Sequence, residues 1–372
     1  MSEPTSQVPR PHHPALRTAI CDLFGVDYPI VQTGMGFVAV PELTAATSNA
    51  GGLGILTSGT LTFGELADAV ARTKELTDRP FGVNMRGDAP DADARAELLI
   101  RQRIPVASFA LAPKRETVTK LKDAGIVVIP SVGARRHAEK VAEWGVDAVL
   151  VQGAEGGGHT GQVPTTILLP QVVDAVDIPV VAAGGFFDGR GLVAALAYGA
   201  AGIAMGTRFL LTSDSPVPDN IKQLYLDKTV TDTVVTTAID GVPQRVLRTE
   251  LAEALISEHR LRRLRRSVQL SLAFQRTTGT HWRDIAKEGL SMKRSQDLGW
   301  GQILMAANTP MLLSAGLVGG DPSRGTLAGG QVTGLVGDLP SCAELIARIM
   351  DQADGVLRRL QADRVAATPD AG

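Results

Sequence analysis

Ala148-Val-Leu-Val-Gln152-Gly-Ala-Glu-Gly-Gly-Gly-His159-Thr-Gly161 couples a short apolar run to a loop richer in glycine than any helix or strand tolerates. The run reads as a strand buried on both faces, and the glycines bare a backbone that lies close to something else. His159, the one imidazole of the loop, suits acid/base or polarising chemistry near neutral pH. Seven further runs share the apolar character of Ala148–Gln152. They are Ile30–Gln32, Leu53–Leu56, Phe81–Asn84, Val106–Phe109, Val127–Ser131, Val180–Ala183 and Gly202–Met205. Between them lie segments long enough for a helix and its turns; in Leu61–Lys74, for instance, Leu66, Ala69 and Val70 share one face. Eight such units predict an α/β fold, a (β/α)8 TIM barrel.

A doubly wound sheet is the competing architecture. Gly34-Met-Gly-Phe-Val-Ala39 follows the first run and reads as a dinucleotide fingerprint. That fingerprint wants an acid near the end of the second strand, and Leu53 to Ser58 has none before Glu65. The barrel is therefore preferred. The domain reading is a barrel over 15–213 and 325–362, with a smaller, mainly helical substrate-covering domain over 214–324. Residues 1–14 and 363–372 read as disordered tails.

In such barrels the active site lies at the C-terminal ends of the strands, and phosphate binds after strands seven and eight. There the chain carries Gly184-Gly185, then Asp188-Gly-Arg-Gly191 at a helix start, and Gly206-Thr207. Two glycine turns that deliver backbone N–H groups make an anion cradle, unless these glycines only permit tight turns. Gln32, Thr33, Gly34, Asn84, Ser131 and Gln152 end other strands; amide side chains, both donor and acceptor, suit the edge of a flat heterocycle. With the cradle they point to a mononucleotide.

These motifs resemble the nitronate monooxygenase (2-nitropropane dioxygenase) family. The likeness runs from Pro29-Ile-Val-Gln-Thr-Gly-Met-Gly36 and Ala50-Gly-Gly-Leu-Gly-Ile55 through Gly82-Val-Asn84, the His159 loop, Ala183-Gly-Gly185 and Met205-Gly-Thr-Arg208. It spans residues 20–340 and implies a TIM barrel with non-covalent FMN, His159 being catalytic and facing the substrate. The implied FMN contacts include Met35, Asn84, Gln152, Gly185, Gly206 and Thr207. Thr33, Gly34, Ser131, Gly153 and Gly184 join them as candidate cofactor-binding residues. One departure is Gly156, where the family's loop commonly carries alanine.

Within the family the wording resembles an actinobacterial branch of steroid-ring catabolism that acts on CoA thioesters. Ala107–Lys114, Asp214–Asp219 and Met305–Met311 carry that likeness. Residues 260–266 place five arginines in seven positions. Leu261, Leu264 and Val268 would form the apolar face of that helix. Arg262, Arg263, Arg265 and Arg266 are thereby candidates for the CoA phosphates, or else form a solvated basic face.

The expected function is an FMN-dependent oxidoreductase acting on the C–C bond alpha,beta to the carbonyl of a CoA thioester. Nitronate oxidation with dioxygen is the first alternative, and a non-enzymatic flavin-binding barrel the second. Net charge of −2 gives no reason to expect nucleic acid, and no apolar run has bilayer length. Cys21 and Cys342 match neither a disulfide framework nor a metal site. The start has no signal-peptide core, so the expectation is a cytoplasmic protein without a metal, with a homodimer as the default.

Overall fold

The computed structural model describes residues 12–257 and 309–366. Eight parallel strands close a barrel in which sequence neighbours pair throughout: β1 Ile30–Gln32, β2 Leu53–Thr57, β3 Phe81–Met85, β4 Val106–Phe109, β5 Val127–Val132, β6 Val149–Gln152, β8 Val180–Ala183 and β9 Gly202–Met205. The missing number, β7, is the two-residue strand Gly158–His159 inside the glycine loop, which lies outside the barrel sheet. The predicted barrel is present, with strand ends within one residue of the apolar runs.

Alternation along each strand separates an interior from a helix-facing surface. Val31, Leu53, Ile55, Val106, Ile129, Leu150, Val181, Ala183 and Ala204 form one buried cluster, the barrel interior. Strand residues of the other phase, such as Ile30, Val83, Phe109, Val151 and Ile203, join a larger cluster with helix residues Leu43, Leu66, Leu99, Leu121, Leu169 and Leu192. Every strand is thus buried on both sides, which is why the runs carry no polar alternation. Each fully buried Val, Leu or Ile stabilises the fold by about 1.5–3 kcal/mol relative to exposure.

Local signals define the helices. Phe63–Leu76 begins with a reciprocal cap, Thr62 Oγ1 accepting from the Glu65 amide and Glu65 accepting from the Thr62 amide, and buries Leu66, Val70 and Thr73. Such a cap contributes about 0.5–2 kcal/mol. At the opposite end of the barrel, helix Ala19–Phe24 inserts Ile20 and Phe24 into the interior cluster. A Cβ on Gly202, the first residue of β9, would lie 2.5 Å from Ile20 Cδ1, so this helix plugs the N-terminal mouth.

The eighth βα unit is split. After β9 comes a short turn of helix, Thr207–Leu210, and the helix that completes the outer ring arrives only at Cys342–Ala366. It packs on helices Gly189–Ala197 and Pro41–Asn49. Between these two pieces lie helices Asp219–Leu226, Glu250–Ser257 and Thr309–Leu317, with strands β10 Thr233–Thr236 and β11 Gln244–Leu247. β11 pairs antiparallel with β10 and also with β7, setting Gln244 opposite His159 and Arg245 opposite Gly158. Arg262, Arg263, Arg265 and Arg266 lie outside the described residues.

Candidate active site at the mouth of the barrel

Carrying the interior phase past the last core residues brings Thr33, Thr57, Asn84, Ser108, Ser131, Gln152 and Gly206 to the inner side of the C-terminal mouth. A layer of aliphatic side chains therefore ends under a layer of small polar ones. Asn84 Nδ2 donates to Ser108 Oγ at 3.2 Å, across neighbouring strands. Gly34 lets the first loop lie on this layer, since a Cβ there would fall 2.4 Å from Asn84 Cβ. Thr57 and Ser108 escaped the sequence reading, although their two-residue spacing from Ile55 and Val106 marks them. Gln32 belongs to the other phase: fully buried beside Ile30, it donates to Ile55 O at 3.3 Å and is no part of this ring.

Loops after the first, seventh and eighth barrel strands converge around glycine. Gly184 and Gly185 adopt φ of 91° and 87°, the left-handed region that only glycine enters readily. A Cβ on Gly184 would lie 3.1 Å from Gly153 O and 3.2 Å from the Gly156 nitrogen, so this turn rests on the His159 loop. A Cβ on Gly206 would lie 3.3 Å from Thr33 Oγ1 and 3.4 Å from Met35 Sδ, which puts the eighth strand's end beside the first loop. Thr207 Oγ1 accepts from the Gly330 amide at 2.9 Å. Helix Gly189–Ala197, by contrast, has its first amides occupied: Asp188 accepts from Gly191 at 3.1 Å and Gln352 from Gly189 at 2.8 Å. An anion at this corner would rest on the glycine turns rather than on that helix.

The glycine loop after β6 is held at nearly every step. Gln152 Nε2 donates to His159 O at 2.8 Å, and Thr160 Oγ1 to Gly153 O at 3.0 Å. Glu155 accepts from the Thr165 amide at 3.0 Å and from its hydroxyl at 2.8 Å, capping the next helix, while the Gln331 amide donates to Glu155 O at 3.0 Å. Arg245 donates to Ala154 O at 2.9 Å and to Thr233 Oγ1 at 2.9 Å. Burial lowers the pKa of its guanidinium, and the charge of Glu155 opposes that shift. The glycines serve close packing here, not mobility.

His159 ends this loop on β7, its side chain 58% exposed. Its Nε2 lies 2.7 Å from Oδ2 of Asp240, a carboxylate only 5% exposed in the turn between β10 and β11. Asp240 Oδ1 accepts from the Val242 amide at 3.0 Å. The sequence reading did not include Asp240. Asp240-Gly241, after the β-branched stretch Thr233–Thr236, is a hairpin signal that would have found the turn.

The glycine at 156 is tested by its neighbour. A Cβ there would fall 2.6 Å from Gln152 Nε2. In Gly156→Ala the Gln152 amide therefore swings away and its bond to His159 O is lost. The cost is about 1 kcal/mol, roughly fivefold in turnover, with the fold intact because the crowding falls on one side chain, Gln152 from Cγ outward, and not on backbone. Steady-state kinetics beside a thermal melt checks this; unchanged kcat would show that the bond does not order the loop.

The nitronate monooxygenase family model matches residues 17–100 and 90–352. The chain is 60% identical to the (3aS,4S,5R,7aS)-5-hydroxy-7a-methyl-1-oxo-octahydro-1H-indene-4-carboxyl-CoA dehydrogenase of Rhodococcus jostii, over 92% of this chain and 97% of that one. A probable nitronate monooxygenase of Staphylococcus saprophyticus is 33% identical, over 63% of this chain and 79% of its own. Among solved structures, FabK from Thermotoga maritima superposes with a TM-score of 0.76 at 33% identity, covering 93% of this chain and 99% of FabK.

Proposed function

This chain belongs to the nitronate monooxygenase family, and from that premise we propose that it is an FMN-dependent dehydrogenase of a CoA thioester carrying a steroid-derived fused-ring ketone. The observation that carries the reading is the 60% identity to the indene-carboxyl-CoA dehydrogenase along nearly the whole of both chains. The nitronate-oxidising relative, in contrast, matches only 63% of this chain.

The residues at the mouth fit the cofactor. Gly184, Gly185, Gly206 and Thr207 would hold the phosphate; a Cβ on Gly184 would press on the His159 loop and one on Gly206 would crowd Thr33 and Met35. Thr33, Asn84, Ser131 and Gln152 would meet the edge of the ring, with Gly34, Met35 and Gly153 shaping the backbone around it. Bound FMN supplies the two-electron acceptor.

The chain's own part is the proton. The thioester carbonyl acidifies the hydrogen on its α carbon, and His159, whose side chain is more than half exposed, would take it. The aliphatic layer below the polar ring would close the barrel side of the cofactor to water.

Anaerobic titration separates the readings. The hydroxy-methyl-oxo-indene-carboxyl-CoA thioester is expected to bleach the flavin absorbance within turnover time, whereas an alkyl nitronate leaves it largely oxidised. Bleaching by the nitronate alone would overturn the proposal in favour of nitronate oxidation. A purified protein without bound flavin would overturn it in favour of a barrel without redox chemistry.

A further inference from the structure

We propose that Asp240 is the positioning residue for His159: it accepts the Nε2 hydrogen, fixes the tautomer and orientation of the ring, and leaves Nδ1 as the nitrogen that receives the substrate proton. This rests on His159 being the base.

The geometry states the case. A carboxylate withdrawn from water is costly unless its oxygens are satisfied. Asp240, only 5% exposed, meets that need with the Val242 amide at Oδ1 and His159 Nε2 at Oδ2, 3.0 and 2.7 Å away. An ionised carboxylate accepts only, so Nε2 is the donor. A neutral imidazole has one N–H, and Nδ1 therefore keeps its lone pair. The asymmetry of exposure fits the roles, with a buried carboxylate anchoring one edge of a ring whose side chain is 58% exposed.

The alignment is built by chain topology. β7 brings His159 and β11 fixes its register through Gln244, while Asp240 sits in the turn that leads into β11. On these elements the other charged groups are engaged elsewhere. Arg245 is paired opposite Gly158, hence on the other face of the sheet from His159, and donates to Ala154 O and Thr233 Oγ1. Glu155, in the loop of His159, is bonded to Thr165. In turnover the proton on the substrate α carbon moves to Nδ1, the pair from that C–H bond forms the Cα=Cβ double bond, and the β carbon gives up a hydride, for which bound FMN would supply the acceptor. Asp240 stabilises the resulting imidazolium and takes no proton itself.

Two measurements on the holoenzyme test this. Nitrogen-15 NMR of histidine-labelled protein, with the ring neutral, is expected to show His159 as the Nε2–H tautomer. The Nδ1–H form would overturn the proposal without any variant. In Asp240→Asn, kcat is expected to fall by about 100-fold, with KM and flavin content within about twofold, and Asp240→Glu should recover part of the loss. If His159→Ala is inactive while Asp240→Asn keeps kcat, the positioning role fails and the base stands. If His159→Ala keeps its turnover, the base assignment fails and the positioning role with it.

Discussion

His159→Ala is expected to retain bound flavin and to lose turnover by about 10³-fold, the range in which a positioned acid/base group acts. Retention follows from the layout. The side chain of His159 bonds to Asp240, while Asn84, Ser131 and Gln152 belong to barrel strands and Thr33 directly follows β1. Gln152 reaches the backbone oxygen of residue 159, a contact that alanine preserves. The variant should therefore be yellow, should melt near the parent temperature and should bind the CoA ester with little change. Anaerobic flavin reduction is the step to slow, and stopped-flow measurement reads it directly. Reduction at the parental rate would remove His159 from the chemistry.

Gly184→Ala should do the reverse and empty the cofactor site. Residue 184 sits at φ of 91°, where an L side chain is strained by about 1–2 kcal/mol. Its Cβ would also press on Gly153 O at 3.1 Å and on the Gly153 and Gly156 nitrogens at 3.2 Å each. These are backbone atoms of a loop tied down by Thr165, Gln331 and Arg245, so they yield poorly. The turn must then shift away from the position that would cradle a phosphate. A loss of about 3 kcal/mol in binding, over 100-fold in Kd, is expected together with a lower melting temperature. Flavin content after desalting and titration of the apo-protein measure it. A variant that copurifies with full flavin would show that the Gly184–Gly185 turn does not hold the phosphate.

Much of this architecture is written in a form that one sequence discloses. Val180–Ala183 and Gly202–Met205 are buried on both faces, so they read as plain apolar runs and their ends agree with the strands. Asn84 and Gln152 could be found because a polar residue closing such a run has left the core. Asp240 could not be found by that logic. Its role depends on pairing β11 with a two-residue strand, and Gly158-His159 is too short to carry any periodicity. Gln244-Arg-Val-Leu247 also hides, since its polar members are buried by contacts with a distant loop rather than exposed at a surface. Gln32 misled for a similar reason. A polar residue at a strand end reads as part of the mouth, and only the interior cluster shows which face it takes.

The three-stranded sheet has a consequence in time. His159 and Asp240 stand 81 residues apart, and a ribosome adds the second only after the last barrel strand, Gly202–Met205, has been made. Even then the helix that closes the outer ring, Cys342–Ala366, is still to come. A nascent chain holds every strand that bears the polar ring before it holds the carboxylate bonded to His159. The His159–Asp240 pair thus forms only once β11 has docked on Gly158 and His159, after every strand of the barrel has been made.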